Sequence, residues 1–264
     1  MAMVELRQVS FTYAGAEAAA IKNISFAVEA GELVCVCGAT GSGKSTLLRL
    51  IKRELTPMGQ LTGQVLLDGV PVASLPEDVS AFSIGYVMQR PDEQIVTDKV
   101  WHELAFGLEN MGLSQQEMAR RIAETAAYFG IESWYERPVS QLSGGQKQLL
   151  NLAAVMVMQP KVLILDEPTA GLDPVGVESI LKNIRDYLDN KRLVVLTGVL
   201  ADKDYGDMYK PVMPYIEQFV CVTPPNPRRL IATELAEHLL GVGAAAAADE
   251  RVYRRWIYAF RLEH

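Results

Sequence analysis

The most informative part of the sequence is Gly38-Ala39-Thr40-Gly41-Ser42-Gly43-Lys44-Ser45-Thr46, because it matches the pattern G-x-x-x-x-G-K-[ST]. The apolar run ELVCVCG at 32–38 precedes it and predicts a strand, and LLRLIKREL at 47–55 follows with helical spacing. Glycines in such a loop let backbone N–H groups close around phosphate oxygens, and the helix N-terminus adds its positive dipole end. The loop therefore predicts a nucleotide-binding α/β protein in which Lys44 reaches the β- and γ-phosphates and Ser45 holds Mg²⁺.

A second signal is a pair of carboxylates at the end of an apolar run. Val162-Leu163-Ile164-Leu165 reads as a buried strand, and Asp166 and Glu167 follow it directly. Asp166 suits Mg²⁺ bound through its water shell, and Glu167 suits the base that polarises an attacking water. An acidic pair after a strand is often only a helix cap, but in a chain with a phosphate loop we predict that it is catalytic.

A third signal is a second glycine-rich helix start, Leu142-Ser143-Gly144-Gly145-Gln146. A serine and two glycines at this position form another nest of the size of a phosphate group. Two such nests in one chain are useful together if two chains face each other head to tail. Ser143, Gly144, Gly145 and Gln146 are therefore predicted to close over the nucleotide of a partner chain.

The arrangement of the remaining segments predicts a layered α/β protein. Residues 3–37 read as strands, a hairpin is predicted to turn at Asp68-Gly69, and the pattern is helical from about 90 to 150. Beyond 161, predicted strands at 161–165, 192–197 and 218–222 alternate with predicted helices at 176–188 and 207–217. Strands that alternate with helices indicate a parallel sheet.

Composition excludes several classes of protein. The 264 residues carry 25 basic and 32 acidic side chains, a net charge of −7, which argues against nucleic acid as a partner. The three cysteines do not form a disulfide framework. No run of eighteen apolar residues occurs, so any membrane role is expected to come through a partner.

Taken together, residues 1–174 resemble the nucleotide-binding subunit of ABC transporters. The motifs at 38–46, 142–146 and 162–167 stand in that family's order. The resemblance implies an ATPase with a P-loop NTPase core and a helical subdomain at about 90–150. It further implies that Tyr13 stacks on adenine, that Gln89 joins Ser45 and Asp166 around Mg²⁺, and that Lys44, Gln89 and Glu167 are catalytic. It also implies a D-loop at Gly171-Leu172-Asp173.

Within that family, one region looks most like the ATPase of energy-coupling factor (ECF) importers, which take up vitamins and metal ions. It consists of QRPDEQIVTD at 89–98 and VWHELAFGLENMGL at 100–113. The resemblance implies that residues 98–110 dock on a transmembrane ECF subunit, which works with a substrate-binding membrane component. The alternative for 98–110 is a surface amphipathic helix. The ATPase is expected at the cytoplasmic face of the membrane, as a homodimer or as a heterodimer with another ABC ATPase.

The chain departs from the family pattern after residue 174. The family has a switch histidine after the strand that here reads LVVLT at 193–197, but Val199 stands near its place. Hydrolysis is therefore expected to be impaired, whereas ATP binding is not. An ATP-responsive module that does not hydrolyse ATP is one alternative.

The sequence from 175 to 240 resembles the C-terminal domain of folylpolyglutamate synthase, a relative of the Mur ligases, through GVLADKDY at 198–205 and TPPNPR at 223–228. This resemblance implies a Rossmann-like βα segment and makes a ligase fragment the other alternative. The predicted organisation is therefore an ATP-binding domain at 1–174, the ligase-like segment at 175–240, and an alanine-rich linker and tail at 241–264.

Overall fold

The computed structural model describes residues 2–38, 41–168, 194–200 and 218–221. These residues belong to two compact units, one formed by the described residues up to Pro76 together with 194–200 and 218–221, the other running from Glu77 to residue 168. The strands are β1 (Ala2–Tyr13), β2 (Ile21–Glu29), β3 (Leu33–Gly38), β4 (Gly59–Leu67), β5 (Val70–Pro71), β6 (Ile84–Val87), β7 (Val162–Asp166), β8 (Val194–Leu200) and β9 (Gln218–Cys221). The α-helices are α1 (Lys44–Leu50), α2 (Glu77–Ser83), α3 (Val100–Asn110), α4 (Gln115–Phe129) and α5 (Gly144–Met156).

The first unit contains an antiparallel sheet with the strand order β2-β1-β4-β5. The buried apolar side chains of β1 form two alternating pairs, Val4 with Leu6 and Val9 with Phe11, and a register shift between Leu6 and Val9 separates the pairs. The predicted hairpin is confirmed, since β4 and β5 pair on either side of Asp68 and Gly69. Both turn residues have positive φ, 49° and 79°, as the tight two-residue turn between strands of native twist requires.

The same unit contains parallel strands around β3. Strand β8 pairs with β3 on one side and β9 pairs with it on the other, both in parallel register. The strands predicted after residue 190 are thereby confirmed as members of a parallel sheet, although β8 runs from 194 to 200 rather than from 192 to 197. The phosphate loop begins at the carboxyl end of β3, which is where α/β sheets bind their ligands.

The second unit is built around the parallel pair β6 and β7. Ile84 lies opposite Val162 and Val87 opposite Leu165, and every residue of both strands is buried. Strands buried on both faces read as continuous apolar runs, which is how the sequence showed them. Because the two strands are parallel and in register, the residues that follow Val87 and Leu165 leave the sheet at the same edge.

The helices of the second unit follow the predicted pattern, with one correction. The Ser114 side chain accepts a hydrogen bond from the Glu117 N–H at 3.3 Å, and Gly130 ends α4 with a φ of 66°. The spacing of Ser114 and Glu117 predicts a capping box, but the box is only half formed. The carboxylate of Glu117 bonds to Arg120 and Arg121, which lie one turn further along the helix. Within the described part of the chain, no helix is long and apolar enough to cross a membrane.

The predicted domain boundaries stay predictions. The division near residue 174, the segment 175–193 and the tail 241–264 lie outside the described residues. The two compact units divide the chain at other places, since β8 and β9 belong with the N-terminal strands.

Candidate functional site

The phosphate loop links β3 to α1 and depends on two glycines. Gly41 and Gly43 have φ values of 79° and 93°, in the left-handed region that favours glycine. A Cβ on Gly43 would also lie 2.7 Å from the carbonyl oxygen of Ala20, too close for any other residue. Gly43 is the N-cap of α1, so Lys44 and Ser45 occupy its first turn, as predicted. Ala39 and Thr40 lie outside the described residues.

Ser42 supplies an observation that fits a polar ligand at this loop. Its side chain is only 2% exposed, and its Oγ has no hydrogen-bond partner among the residues that the structure describes. Leaving a buried hydroxyl unpaired costs about 1–3 kcal/mol. A nucleotide phosphate group would supply the missing partner, so the loop fits the predicted ligand.

Tyr13 lies at the end of β1 and is held by two neighbours. Its hydroxyl shares a hydrogen bond of 2.6 Å with Thr46 Oγ1, and its ring meets that of Phe11 edge to face at 5.1 Å. The side chain is still 38% exposed. A fixed aromatic ring that remains partly open to solvent suits the predicted stacking on a base. The hydrogen bond between Tyr13 and Thr46 was not predictable from local patterns, because the two residues are far apart along the chain.

In the second unit, Asp166 ends β7 as a buried carboxylate. The hydroxyl of Tyr86, on the neighbouring strand β6, donates a hydrogen bond to Asp166 Oδ2 at 3.0 Å. Tyr86 was not predicted as a site residue. Its position in the apolar run SIGYVM was the available signal, because a tyrosine buried in such a run needs a partner for its hydroxyl.

Glu167 and Gln89, both predicted as catalytic, lie together. Gln89 Nε2 donates a hydrogen bond of 2.8 Å to Glu167 Oε2. The two residues follow Val87 and Leu165 at the same offset, so the register of β6 and β7 brings them to one edge. Glu167 has a φ of 49°, a left-handed conformation that costs a non-glycine residue roughly 1–3 kcal/mol. Such strain is typical of functional sites, and here it accompanies the contact with Gln89.

The second glycine-rich segment starts α5. Ser143 Oγ accepts from the Gln146 N–H at 3.3 Å, and Gln146 Oε1 accepts from the Ser143 N–H at 2.9 Å, a complete capping box. Gly144 is exposed, and a Cβ on it would meet nothing within 4 Å. Ser143 and Gln146, both predicted to contact the nucleotide, are thus hydrogen-bonded to each other. Gly144 lies beside them at the start of α5 and is exposed.

Two further sequence predictions are outside what the structure describes. The predicted D-loop at 171–173 is one of them. Val199 belongs to β8, where its backbone pairs with that of Cys37, but its side chain is not described.

A glycine loop between a strand and a helix, with an acidic pair at the end of a buried parallel strand, defines a P-loop nucleotide-binding domain. The family model described as "ABC transporter" matches residues 21–170. The chain therefore belongs to the ABC transporter ATP-binding family and has the ABC ATPase fold, as its sequence resemblance implied.

Individual relatives agree with this assignment. The chain is 41% identical to a putative ABC transporter ATP-binding protein of Bacillus cereus over 241 residues, which is 88% of this chain and 42% of that protein. It is 38% identical to the energy-coupling factor transporter ATP-binding protein EcfA of Methanocaldococcus jannaschii, covering 78% of this chain and 75% of that protein. The solved structure of cbiO1 from Clostridium perfringens, described as part of the ABC transporter complex cbiONQ, shares 29% identity. It covers 99% of this chain and 96% of its own, with a TM-score of 0.74.

The alignments differ in how much of this chain and how much of each relative they cover. The chain spans about two-fifths of the length of the first curated relatives that it matches, 42% for the protein of Bacillus cereus. That alignment also covers 88% of this chain, more than residues 1–174 alone can supply. The comparisons give no support to the resemblance of 175–240 to folylpolyglutamate synthase, and we do not propose a ligase function.

Proposed function

We propose that this chain binds and hydrolyses ATP as the energy-supplying subunit of an ECF-type importer of vitamins or metal ions. The observation that carries the proposal is the contact between Gln89 and Glu167 beside the buried Asp166. A glutamine that is hydrogen-bonded to a carboxylate at the end of the buried strand β7 suits the positioning of an attacking water. The printed names of the relatives from Methanocaldococcus jannaschii and Clostridium perfringens support the ECF assignment.

The proposal gives each motif a role in ATP hydrolysis. Phosphate binding is assigned to the loop 38–46, with Lys44 on the β- and γ-phosphates, and adenine stacking is assigned to Tyr13. Mg²⁺ would be held by Ser45, Gln89 and Asp166, and it would neutralise charge on the phosphate oxygens.

Glu167 is the proposed general base. Its carboxylate takes a proton from a water whose oxygen forms the new bond to the γ-phosphorus, while the bond to the β-phosphate oxygen breaks and ADP leaves. Gln89 already holds one Glu167 oxygen in place, so the carboxylate needs little reorientation before it accepts the proton.

The start of α5 is proposed to act on a second ATPase subunit. Its exposed Gly144 leaves room for a close approach by a phosphate group, and the capping box keeps the helix start ordered. The partner would be another copy of this chain or a different ABC ATPase, each closing over the nucleotide of the other.

The membrane partner is proposed to dock on residues 98–110, which include α3, together with the residues just before them. Val96 is 64% exposed and Phe106 is 47% exposed, which are large apolar side chains for a surface. The buried Glu103 carboxylate accepts hydrogen bonds from the Thr97 N–H at 2.9 Å and from Thr97 Oγ1 at 2.8 Å. The segment is thus held rigidly while its apolar side chains point outward, as a docking surface for a transmembrane subunit requires.

This docking segment is also paired with the chain that precedes α5. The Val100 N–H donates to the Arg137 carbonyl oxygen at 3.2 Å, and the Val139 N–H donates to the Asp98 carbonyl oxygen at 2.8 Å. A movement of the docked partner would be transmitted through these hydrogen bonds to the chain that precedes α5, and from there to the start of α5. We place the subunit at the cytoplasmic face of the membrane, held there by the transmembrane subunit and its substrate-binding component.

One observation favours a second candidate, a module that closes on ATP without hydrolysing it. Val199 stands near the place of the switch histidine. His102 is the one histidine among the residues that the structure describes, and its Nδ1 bonds Asp98 Oδ1, just before α3, at 2.9 Å. Its partner is thus a carboxylate beside α3, and no second histidine lies among the described residues to stand in for the switch histidine.

The proposed nucleotide sandwich is tested by the Glu167→Gln variant. With its base removed, this variant is expected to bind Mg-ATP, fail to hydrolyse it and accumulate as a dimer, measured by size-exclusion chromatography with light scattering. ADP should leave it monomeric, and the double variant Lys44→Ala/Glu167→Gln should stay monomeric with either nucleotide. A Glu167→Gln chain that binds ATP and remains a monomer would contradict the head-to-tail dimer of identical chains.

A further inference from the structure

The segment from Met88 to Gln94, which carries Gln89, is held at its beginning by its own last residue. Gln94 Oε1 accepts a hydrogen bond from the Met88 N–H at 2.8 Å, and Gln94 Nε2 donates one to the Tyr86 carbonyl oxygen at 2.9 Å. The side-chain amide thereby pairs with the backbone as a neighbouring strand would. This closes the segment into a loop, which we call the Gln89 loop (residues 88–94).

Helix α5 holds the same loop from the other side. Gln148 Nε2 donates to the Met88 carbonyl oxygen at 3.3 Å, and Asn151 Nδ2 donates to the Pro91 carbonyl oxygen at 3.2 Å. Lys147 Nζ adds an ion pair of 2.6 Å with Asp92 Oδ1. These three side chains occupy neighbouring positions on the first turns of α5, directly after the glycine-rich segment 142–146, which we call the signature motif.

Gln148 and Asn151 are deeply buried, and the burial of each leaves one amide oxygen without a hydrogen bond among the described residues. Gln148 is 3% exposed and Asn151 is 1% exposed. Neither Gln148 Oε1 nor Asn151 Oδ1 has a hydrogen-bond partner among the described residues. An apolar side chain at either position would avoid an unpaired oxygen, so what the two amides contribute is the pair of N–H bonds to the Gln89 loop.

We propose that Gln148 and Asn151 are positioning residues for Gln89. They fix the Gln89 loop to the helix that carries the signature motif, and the loop in turn sets the contact between Gln89 and Glu167. A displacement of α5 would therefore move the Gln89 loop and change the hydrogen bond from Gln89 to Glu167 within the same chain. This inference rests on the proposed ATP hydrolysis and adds to it a link between the signature helix and the general base.

The Asn151→Leu variant is the sharpest test, because folding should survive it. The Pro91 carbonyl oxygen keeps two backbone donors, the N–H groups of Gln94 and Ile95, each at 3.1 Å. The substitution also removes the unpaired Oδ1. Asn151→Ala serves as a second variant in case leucine is too large for the site. Asn110→Leu is the control for the same exchange at an exposed position, since the partner of its Nδ2 among the described residues is the Phe106 carbonyl oxygen, at 2.9 Å within α3.

We expect the Asn151→Leu substitution to lower kcat and to leave KM nearly unchanged. The kcat for ATP should fall on the order of tenfold in Asn151→Leu, within the loss of up to about 10²-fold that a small misplacement at a distance can cause. The KM should stay within about twofold, because the proposed nucleotide-binding residues are unchanged. In a Gln89→Ala background the same substitution should have no further effect on kcat, whereas a general structural defect would add to it.

The outcomes separate this inference from the proposed function. Full kcat in Asn151→Leu, or an equal loss with and without Gln89, would overturn the positioning role while leaving ATP hydrolysis intact. A wild-type chain without turnover would instead contradict the proposed function. In that case hydrogen exchange of the peptide 86–96 decides: faster exchange in Asn151→Leu than in Asn110→Leu supports the link between helix and loop, and equal exchange overturns it.

Discussion

The carboxylates of Asp166 and Glu167 are each oriented by a hydrogen bond from a neutral donor. The buried hydroxyl of Tyr86 donates to Asp166, and the side-chain amide of Gln89, an exposed residue, donates to Glu167. Each hydrogen bond stabilises the charge of a buried carboxylate. Oriented carboxylates are what Mg²⁺ binding and proton transfer both require.

The hydroxyl of Tyr86 is predicted to tune the proposed Mg²⁺ site. In Tyr86→Phe the ring is kept and only the donor to Asp166 is lost, a bond to a charged group worth about 1.5–3 kcal/mol. We expect the Mg²⁺ concentration for half-maximal ATP hydrolysis to change by about tenfold while the KM for ATP changes little. Tyr135→Phe, in the stacked pair with Trp101, is the control. An unchanged Mg²⁺ titration would show that the hydroxyl does not act through Asp166.

A pH prediction concerns Glu117 on α4. Hydrogen bonds from Arg120 and Arg121 lower the pKa of its carboxyl from 4.5 to about 2. The pKa of Glu117 is lower in the folded protein than in the unfolded chain. The ionised Glu117 therefore stabilises the fold at pH values above about 4.5, and this stabilisation is lost as the pH falls from about 4.5 towards 2. Carboxyl NMR titration should show the pKa of Glu117 moving back towards 4.5 in Arg120→Met/Arg121→Met. It should not move in Arg90→Met, whose guanidinium bonds Glu93.

At the level of elements, local patterns in the sequence predicted the strands, the hairpin and the helix caps. The turn at Asp68-Gly69 and the start of α5 at Ser143 need only residues that are close along the chain. The bonds from Gln148 and Asn151 to the Gln89 loop were not predictable in this way. They join residues about sixty positions apart, and they depend on how α5 packs beside the loop. The same holds for Tyr86 and Asp166, which meet only through the register of β6 and β7.

The close packing of β6 against the end of α5 is tested by Gly85→Ala. A Cβ on Gly85 would lie 2.5 Å from Val155 Cγ1 and 3.0 Å from Pro160 Cγ, and neither side chain is flexible. Overpacking of this kind costs about 1–3 kcal/mol, so the midpoint of denaturant unfolding should fall clearly. Gly144→Ala is the control, since its Cβ would meet nothing within 4 Å. Equal midpoints for Gly85→Ala and the wild type would contradict the packing described here.

At the scale of the whole molecule, the motifs are divided between two compact units. The phosphate loop and Tyr13 belong to the first, and Gln89, the start of α5, Asp166 and Glu167 belong to the second. The phosphate loop, the start of α5 and the acidic pair were predicted because each motif is short and chemically distinctive, whereas Tyr13 and Gln89 were implied by the family resemblance. The family match at 21–170 confirms the family that they indicated. The ligase-like interpretation of 175–240 found no support, because similarity in short motifs such as GVLADKDY is weak evidence for a whole domain.

ATP hydrolysis by this chain is measured as steady-state release of phosphate from Mg-ATP, with the Lys44→Ala variant as the blank. Lys44 is the proposed ligand of the β- and γ-phosphates, so its loss should abolish turnover without removing the fold. We expect turnover of the wild-type chain clearly above that blank and its loss in Glu167→Gln. A folded wild-type chain that binds ATP and releases no more phosphate than Lys44→Ala would contradict the proposed ATP hydrolysis and leave a nucleotide-binding module without hydrolysis.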